Sequence, residues 1–223
     1  MSIDILGHDN YALAIQFDLL KAIHGHLPSL RIISNLPAVE NPLRDVPFYL
    51  PGDVFESLEA AKWRDKPDAK LLLGAMTGKT MFRIHDFFNR LGDLSPSRFL
   101  TLVHPAAVVP ESAQLGHGCT IEPGVVISSF TNLADFVWVK RQASIGHHTR
   151  IASFTNINPG VTIASGCQIG SQCLIGAGAT ISDKIRIGDR SIVGAGAVVI
   201  HDVPEGKIVV GNPAKVLRDN DNY

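Results

Sequence analysis

Residues 144–163 read SIGHHTRIASFTNINPGVTI, with isoleucine at Ile145, Ile151, Ile157 and Ile163. Carried outward at the same interval, every sixth residue from Val109 to Val199 is Val, Leu or Ile, sixteen positions without a slip. An α-helix cannot use this period, because six residues turn through roughly 600° and the apolar stripe walks around the cylinder. A flat strand would alternate with a period of two. The unbroken hexad predicts a solenoid in which short strands each contribute one aliphatic side chain to a shared centre.

A second position supports this reading. Four residues after each aliphatic stands a small or β-branched residue, among them Cys119, Val125, Thr131, Ala143, Thr149, Thr155, Cys167, Cys173 and Ala197, with Ile185 the one bulky exception. The residue after the aliphatic is often glycine, as at Gly116, Gly146, Gly170, Gly176, Gly188 and Gly194. Aliphatics fill a narrow coil and small residues permit its corners. All three cysteines fall in the small slot, and no CxxC pair occurs. They read as packing residues rather than as disulfides or thiolate metal ligands.

Residues 1–103 have a different pattern. Strands are expected at Ile3–Leu6, Leu30–Ile33, Lys70–Leu73 and Phe99–Val103, with helices at Tyr11–Ile23, Val54–Lys62 and Lys79–Leu91. The proline-rich stretch Asn35–Gly52 is expected to be loop. Alternating strands and helices predict an α/β domain with a small, mostly parallel sheet. The boundary is placed near His104–Pro105, giving domains 1–103 and 104–223.

The chain has 223 residues, 45% hydrophobic and 18% charged, with a formal net charge of −1. That composition fits a globular protein and gives no general attraction to nucleic acid or anionic membranes. No run of 18 apolar residues suggests a membrane span. The opening MSIDILGHDN carries acids and no basic region, so it does not read as a signal peptide, and a cytoplasmic location is expected.

The hexad repeat resembles the left-handed parallel β-helix of hexapeptide-repeat acyltransferases, with three hexads to a coil and about five coils here. The entry FLTLVHPAAVVPESAQLGHG (Phe99–Gly118) and the exit IHDVPEGKIVVGNPAKVLR (Ile200–Arg218) are similar to that family's. The resemblance implies a homotrimer with acetyl-CoA as co-substrate. It implies that His147 is the general base, taking the proton of an attacking amine or hydroxyl, a task suited to a side chain that titrates near neutrality. His148 stands where the family has Glu or Asp, as the partner that orients the base. Asn156, Ala177 and Ala195 match residues lining the pantetheine groove, and Lys215 is a candidate contact for a CoA phosphate.

The N-terminal half resembles the Rossmann-like domain of sugar acyltransferases of the sialic-acid O-acetyltransferase and bacillosamine N-acetyltransferase type. There a glycine-rich turn after the first strand faces the sugar nucleotide. The matching stretch contains Gly7, His8 and Asp9, with Asp9 and Asn10 where that family usually has glycine. Gly74, Gly78 and Lys79 form a second glycine-containing loop after a strand, the expected place for a ligand in a parallel sheet.

The resulting expectation is an acetyl-CoA-dependent acyltransferase acting on an amino or hydroxyl group of a sugar or nucleotide sugar, without a metal. Two alternatives stay open. One is an inactive hexapeptide scaffold or ligand-binding subunit. The other is a zinc enzyme of the γ-carbonic-anhydrase type, whose His-x4-His spacing the coil lacks.

Overall fold

The computed structural model describes residues 2–7, 10–35, 55–56, 68–92 and 94–221. The chain divides into two compact units, one comprising Met1–Met76 with Thr80–Leu102 and the other Thr77–Lys79 with Val103–Tyr223.

In the first unit, β1 (Ser2–Leu6), β2 (Ser29–Ile33), β3 (Phe55–Glu56) and β4 (Lys70–Leu73) form one sheet in the order β3-β2-β1-β4. Every neighbouring pair is parallel. Apart from their first residues, β1, β2 and β4 are buried along their length, as strands covered on both faces should be. Helix α1 (Asn10–His24) packs Leu13, Phe17 and Leu20 against Ile3, Ile5 and Ile32. Inside the sheet Asp4 stands opposite Arg31, which donates two hydrogen bonds to its carboxylate at 3.0 and 2.6 Å. This buried pair offsets its desolvation by bidentate geometry. A second helix, α2, spans Gly78–Leu91.

Two expectations for this half are corrected. The helix expected over Val54–Lys62 is contradicted at Phe55–Glu56, which are the edge strand β3; the rest of that stretch, like residues 36–52 of the expected loop Asn35–Gly52, lies outside the described residues. The single strand expected over Phe99–Val103 is two elements. Phe99 bridges Leu71 of the first sheet, whereas β5 (Leu102–Val103) begins the coil. Local pattern cannot distinguish these cases, because strand pairing is decided by distant partners.

The second unit is a parallel β-helix of two-residue strands on three faces. One face runs from β5 through Thr120–Ile121, Trp138–Val139, Asn156–Ile157, Leu174–Ile175 and Ile192–Val193 to Lys207–Val210. The second carries Val126–Ile127, Ser144–Ile145, Thr162–Ile163, Thr180–Ile181 and Val198–Val199; the third carries Gln114–Leu115, Asn132–Leu133, Arg150–Ile151, Gln168–Ile169 and Arg186–Ile187. Strands pair with a register of eighteen residues, as Ser144 with Thr162. With the additional strands at either end of the first face, the coil has about six turns rather than five. The second residue of each pair points inward, so the hexad aliphatics stack in columns and form one continuous core.

The small slot has a second use. Thr131, Thr149 and Thr155 donate their hydroxyls to the carbonyls of Gly146, Ala164 and Gly170, at 3.2, 3.1 and 2.7 Å. Cys119, Cys167 and Cys173 do the same to Ala134, Ala164's neighbour-coil counterpart Ser182, and Gly188, each at 3.1 Å. At these six positions the small side chain also supplies one hydrogen to a carbonyl turned inward at the next corner, whereas Val125, Ala143 and Ala197 only fill the slot. Burial pushes the thiols of Cys119 and Cys173 up to about 12 and raises that of Cys167. No helix among the described residues is long and apolar enough to cross a membrane.

Candidate active site

Between Ser144–Ile145 on the second face and Arg150–Ile151 on the third, the chain turns through Gly146, His147, His148 and Thr149. Gly146 is required here, since an added Cβ would stand 2.6 Å from the Ala164 carbonyl carbon of the next coil. Buried Thr149 pins the corner from inside. Its hydroxyl donates to Ala164 and accepts the Cys167 amide at 3.3 Å. His148 adopts φ +57°, in the left-handed region, and both histidines project into solvent. That conformation is a property of the corner rather than a mark of function, because Phe130, Phe136, Gln142, Phe154, Gln172, Lys184 and Arg190 share it.

The two imidazoles meet Nδ1 to Nδ1 at 3.0 Å, with their planes at 88°. Such a contact holds one proton, so one ring donates and the other accepts. If His147 donates from Nδ1, its Nε2 keeps a lone pair for a substrate proton. The imidazolium then formed still donates to His148. His148 is in turn braced by Phe130, one coil earlier, at 5.0 Å between ring centroids. Ser112, Gln114, Phe130, Asn132, His148 and Arg150 line a hollow of about 400 Å³ beside the pair.

The other expected site residues fall into groups. Ala177 and Ala195 occupy the corner between the first and second faces in adjacent coils, both exposed. An atom added at the neighbouring Gly178 or Gly196 meets nothing within 4 Å, so this edge is an open ledge. Asn156 is buried on the first face, and Lys215 lies exposed on the antiparallel terminal strand Lys215–Asp219. Within one chain these residues do not converge on His147, which sits at the opposite edge of the second face.

In the N-terminal unit Gly7 and Gly74 come together at the ends of β1 and β4. The Gly74 amide donates to Leu6 at 2.9 Å, and a Cβ on Gly74 would collide with the Gly7 carbonyl. Gly7 itself has φ +75°. This is where strand order reverses about β1, the place such sheets bind ligands. Gly78 belongs to the unit of the coil, where a side chain would strike the Phe154 carbonyl, so close backbone approach accounts for the glycine. Lys79 is half-buried in the first turn of α2. His8 and Asp9 lie outside the described residues. His104, at the boundary, accepts the Ala106 amide on Nδ1 at 2.9 Å, a structural role.

Sequence reading missed Phe130 and Arg150. A signal existed for the first: it lies eighteen residues before His148, one coil away in the same corner.

The bacterial transferase hexapeptide family (six repeats) matches residues 166–201. No curated protein matches the sequence. Among solved structures, PerB from Caulobacter crescentus, crystallised with CoA and GDP-perosamine, is 25% identical with a TM-score of 0.82, covering 98% of each chain. The acetyltransferase domain of PglB from Neisseria gonorrhoeae, in complex with acetyl coenzyme A, is 24% identical with a TM-score of 0.79, covering 97% of this chain and 98% of that one. WeeI from Acinetobacter baumannii is 20% identical with a TM-score of 0.79, covering 97% of this chain and 100% of that one. The chain thus carries the hexapeptide repeat of bacterial transferases and, over nearly its whole length, resembles sugar acetyltransferases of known structure.

Proposed function

We propose that this protein transfers an acetyl group from acetyl-CoA to an amino or hydroxyl group of a sugar or nucleotide sugar, with His147 as general base. The observation that carries the reading is the exposed imidazole pair, joined at 3.0 Å, at a corner of a hexapeptide coil. The likeness to PerB over 98% of the chain supports the donor and the class of acceptor.

His147 Nε2 removes the proton as the acceptor nitrogen or oxygen attacks the thioester carbonyl. The C–S bond then breaks, the acetyl group stays on the acceptor, and the proton is returned to the departing thiolate. His148 holds the His147 ring and accepts its Nδ1 hydrogen throughout. A neutral imidazole stabilises the resulting cation less than a carboxylate would.

Ala177 and Ala195, with their glycine neighbours, offer the ledge for the thin pantetheine arm, while Asn156 and Lys215 are its further candidate contacts. Ledge and base lie on different corners of one coil, so a homotrimer that sets one copy's ledge beside another's His147 completes the site. The N-terminal unit serves as a Rossmann-like acceptor domain, using the Gly7–Gly74 crossing and, in our reading, His8, Asp9, Gly78 and Lys79. A cytoplasmic location would give it access to acetyl-CoA.

The test is thiol release from acetyl-CoA with a panel of amino and hydroxyl sugars, free and as nucleotide diphosphates. Acetylation of at least one sugar is expected. Acetyl-CoA binding without thiol release from any of them would replace this reading with a ligand-binding scaffold.

A further inference from the structure

The hollow beside His148 has a chemistry of its own. Of its lining residues only Arg150 and His148 can carry charge, and none is a carboxylate. The Arg150 side chain is exposed, and among the described residues no ion pair or hydrogen bond holds its guanidinium. The contrast lies further along the same face. Arg150 and Arg186 both border a larger hollow of about 600 Å³, but at the Arg186 end Asp202 and Glu205 line it as well. The Asp202 carboxylate accepts the Arg186 amide at 2.8 Å, two coils on from Arg150, whereas the hollow next to the imidazole pair has no acid in its wall.

The rest of the wall suits a carbohydrate. Asn132 donates to Gln114 Oε1 at 2.7 Å, which fixes both amides and leaves the Asn132 oxygen and the Gln114 nitrogen for hydroxyl groups. Phe130 is 61% exposed yet held in place by its contact with His148, so its free face offers a flat apolar surface. A volume of about 400 Å³ lies within the range of small-molecule sites, ~300–1,000 Å³.

We propose that this hollow is a subsite for an oxyanion carried by the acceptor sugar, a phosphate or a carboxylate, with Arg150 as its ligand and Phe130 as the surface beneath the ring. Arginine fits because its planar fork engages such groups with two hydrogen bonds. His148 joins the subsite to the chemistry, since it walls the hollow on one side and bonds His147 on the other. Phe130 is also a positioning residue, bracing the His148 ring. The purpose assigned to the subsite rests on the proposed acetyl transfer, whereas its preference for anions does not.

The experiment measures binding by calorimetry with three probes: glucose 1-phosphate, glucuronate and neutral methyl glucoside. The wild type should bind at least one anionic probe roughly 10- to 100-fold more tightly than methyl glucoside, the range of a hydrogen-bonded charge. Arg150→Gln should erase that preference, Arg150→Lys should restore part of it, and Arg186→Gln should leave it intact. Phe130→Leu should weaken all three probes and disturb the histidine ring-proton signals in NMR spectra. Preference for glucose 1-phosphate identifies a phosphate-bearing acceptor; preference for glucuronate identifies a sugar acid. Wild-type protein without preference, or Arg150→Gln that keeps it, overturns the proposal. So does a loss of acetyl-CoA affinity in Arg150→Gln with glucose 1-phosphate binding unchanged, which would give the hollow to the donor. Thiol release from acetyl-CoA by the same protein with the full panel of amino and hydroxyl sugars separates the two readings. Anion preference without turnover sinks the acetyltransferase reading alone, and turnover without preference sinks the subsite alone.

Discussion

Replacing His147 by alanine separates catalysis from architecture. The imidazole is exposed and packs into no core, and the corner is held by other groups. The Gly166 amide donates to the His147 backbone carbonyl at 2.9 Å, and Thr149 pins the turn from inside. His147→Ala should therefore melt with the wild type and bind acetyl-CoA as before. Its kcat should fall by roughly 10²–10⁴, the usual contribution of a positioned base. His148→Ala should cost less, because it removes one 3.0 Å hydrogen bond to the base, a loss of roughly 2- to 10-fold. Backbone strain should not confuse this comparison, since alanine and histidine both suffer a side-chain clash at φ +57°. His148→Glu should stabilise the His147 imidazolium and move the acidic limb of the kcat profile to higher pH. The assay is steady-state thiol release between about pH 6 and 9, with melting curves and acetyl-CoA titrations on the same preparations. Full activity in His147→Ala would refute the assignment of the base. An equal collapse in both alanine variants would refute the division of roles between the two rings.

Other predictions follow from the coil. Ile157, fully buried between Val139 and Ile175, should not tolerate a charge; Ile157→Asp should abolish folding, and a wild-type melting curve would show that the inward register is wrong. Ala177→Trp should block acetyl-CoA binding at the ledge while the protein stays folded, because Ala177 is exposed; unchanged affinity moves the groove elsewhere. Cys119 and Cys173 keep their protons in the native state up to about pH 12, while in the unfolded chain such thiols ionise near 9.0. The unfolded state then binds fewer protons, so stability should fall as pH rises from about 9 to 12, by up to about 1.4 kcal/mol per pH unit for each thiol. Denaturant titrations of the Cys119→Ala/Cys173→Ala double variant should show a shallower alkaline decline; an unchanged slope would mean that other groups cause it.

The parallel β-helix was legible because its core obeys a strictly local rule. One aliphatic in six is enough to place Ile145, Ile157 and Ile169 inside without knowing what they touch. Elements that depend on partners were less legible. Phe55–Glu56 is a strand because it pairs with Ile32–Ile33, and nothing in its own composition says so. Phe99 and Leu102, three residues apart, pair with different sheets. At the site, adjacent His147 and His148 could be picked out together, but the Nδ1 contact depends on a corner conformation that period alone does not specify. Phe130 became meaningful only when the eighteen-residue register set it against His148. The small slot marks the three cysteines as packing residues, but as thiol donors to inward carbonyls they have a directional task that composition conceals.

The register of eighteen residues also limits how such a chain can lengthen or shorten over evolutionary time. Removing one hexad upstream of His147 would keep every later aliphatic inside and would leave the core nearly untouched. A hexad lost between Asn132 and His147 would nevertheless carry the imidazole pair, with Arg150, to the preceding corner, away from Phe130 and Asn132. Only a deletion or duplication of eighteen residues returns every side chain to its own edge. Folding therefore tolerates steps of six, whereas the chemistry tolerates steps of eighteen. Two chains of this kind can share an intact core and still differ by one-third of a revolution in where they act.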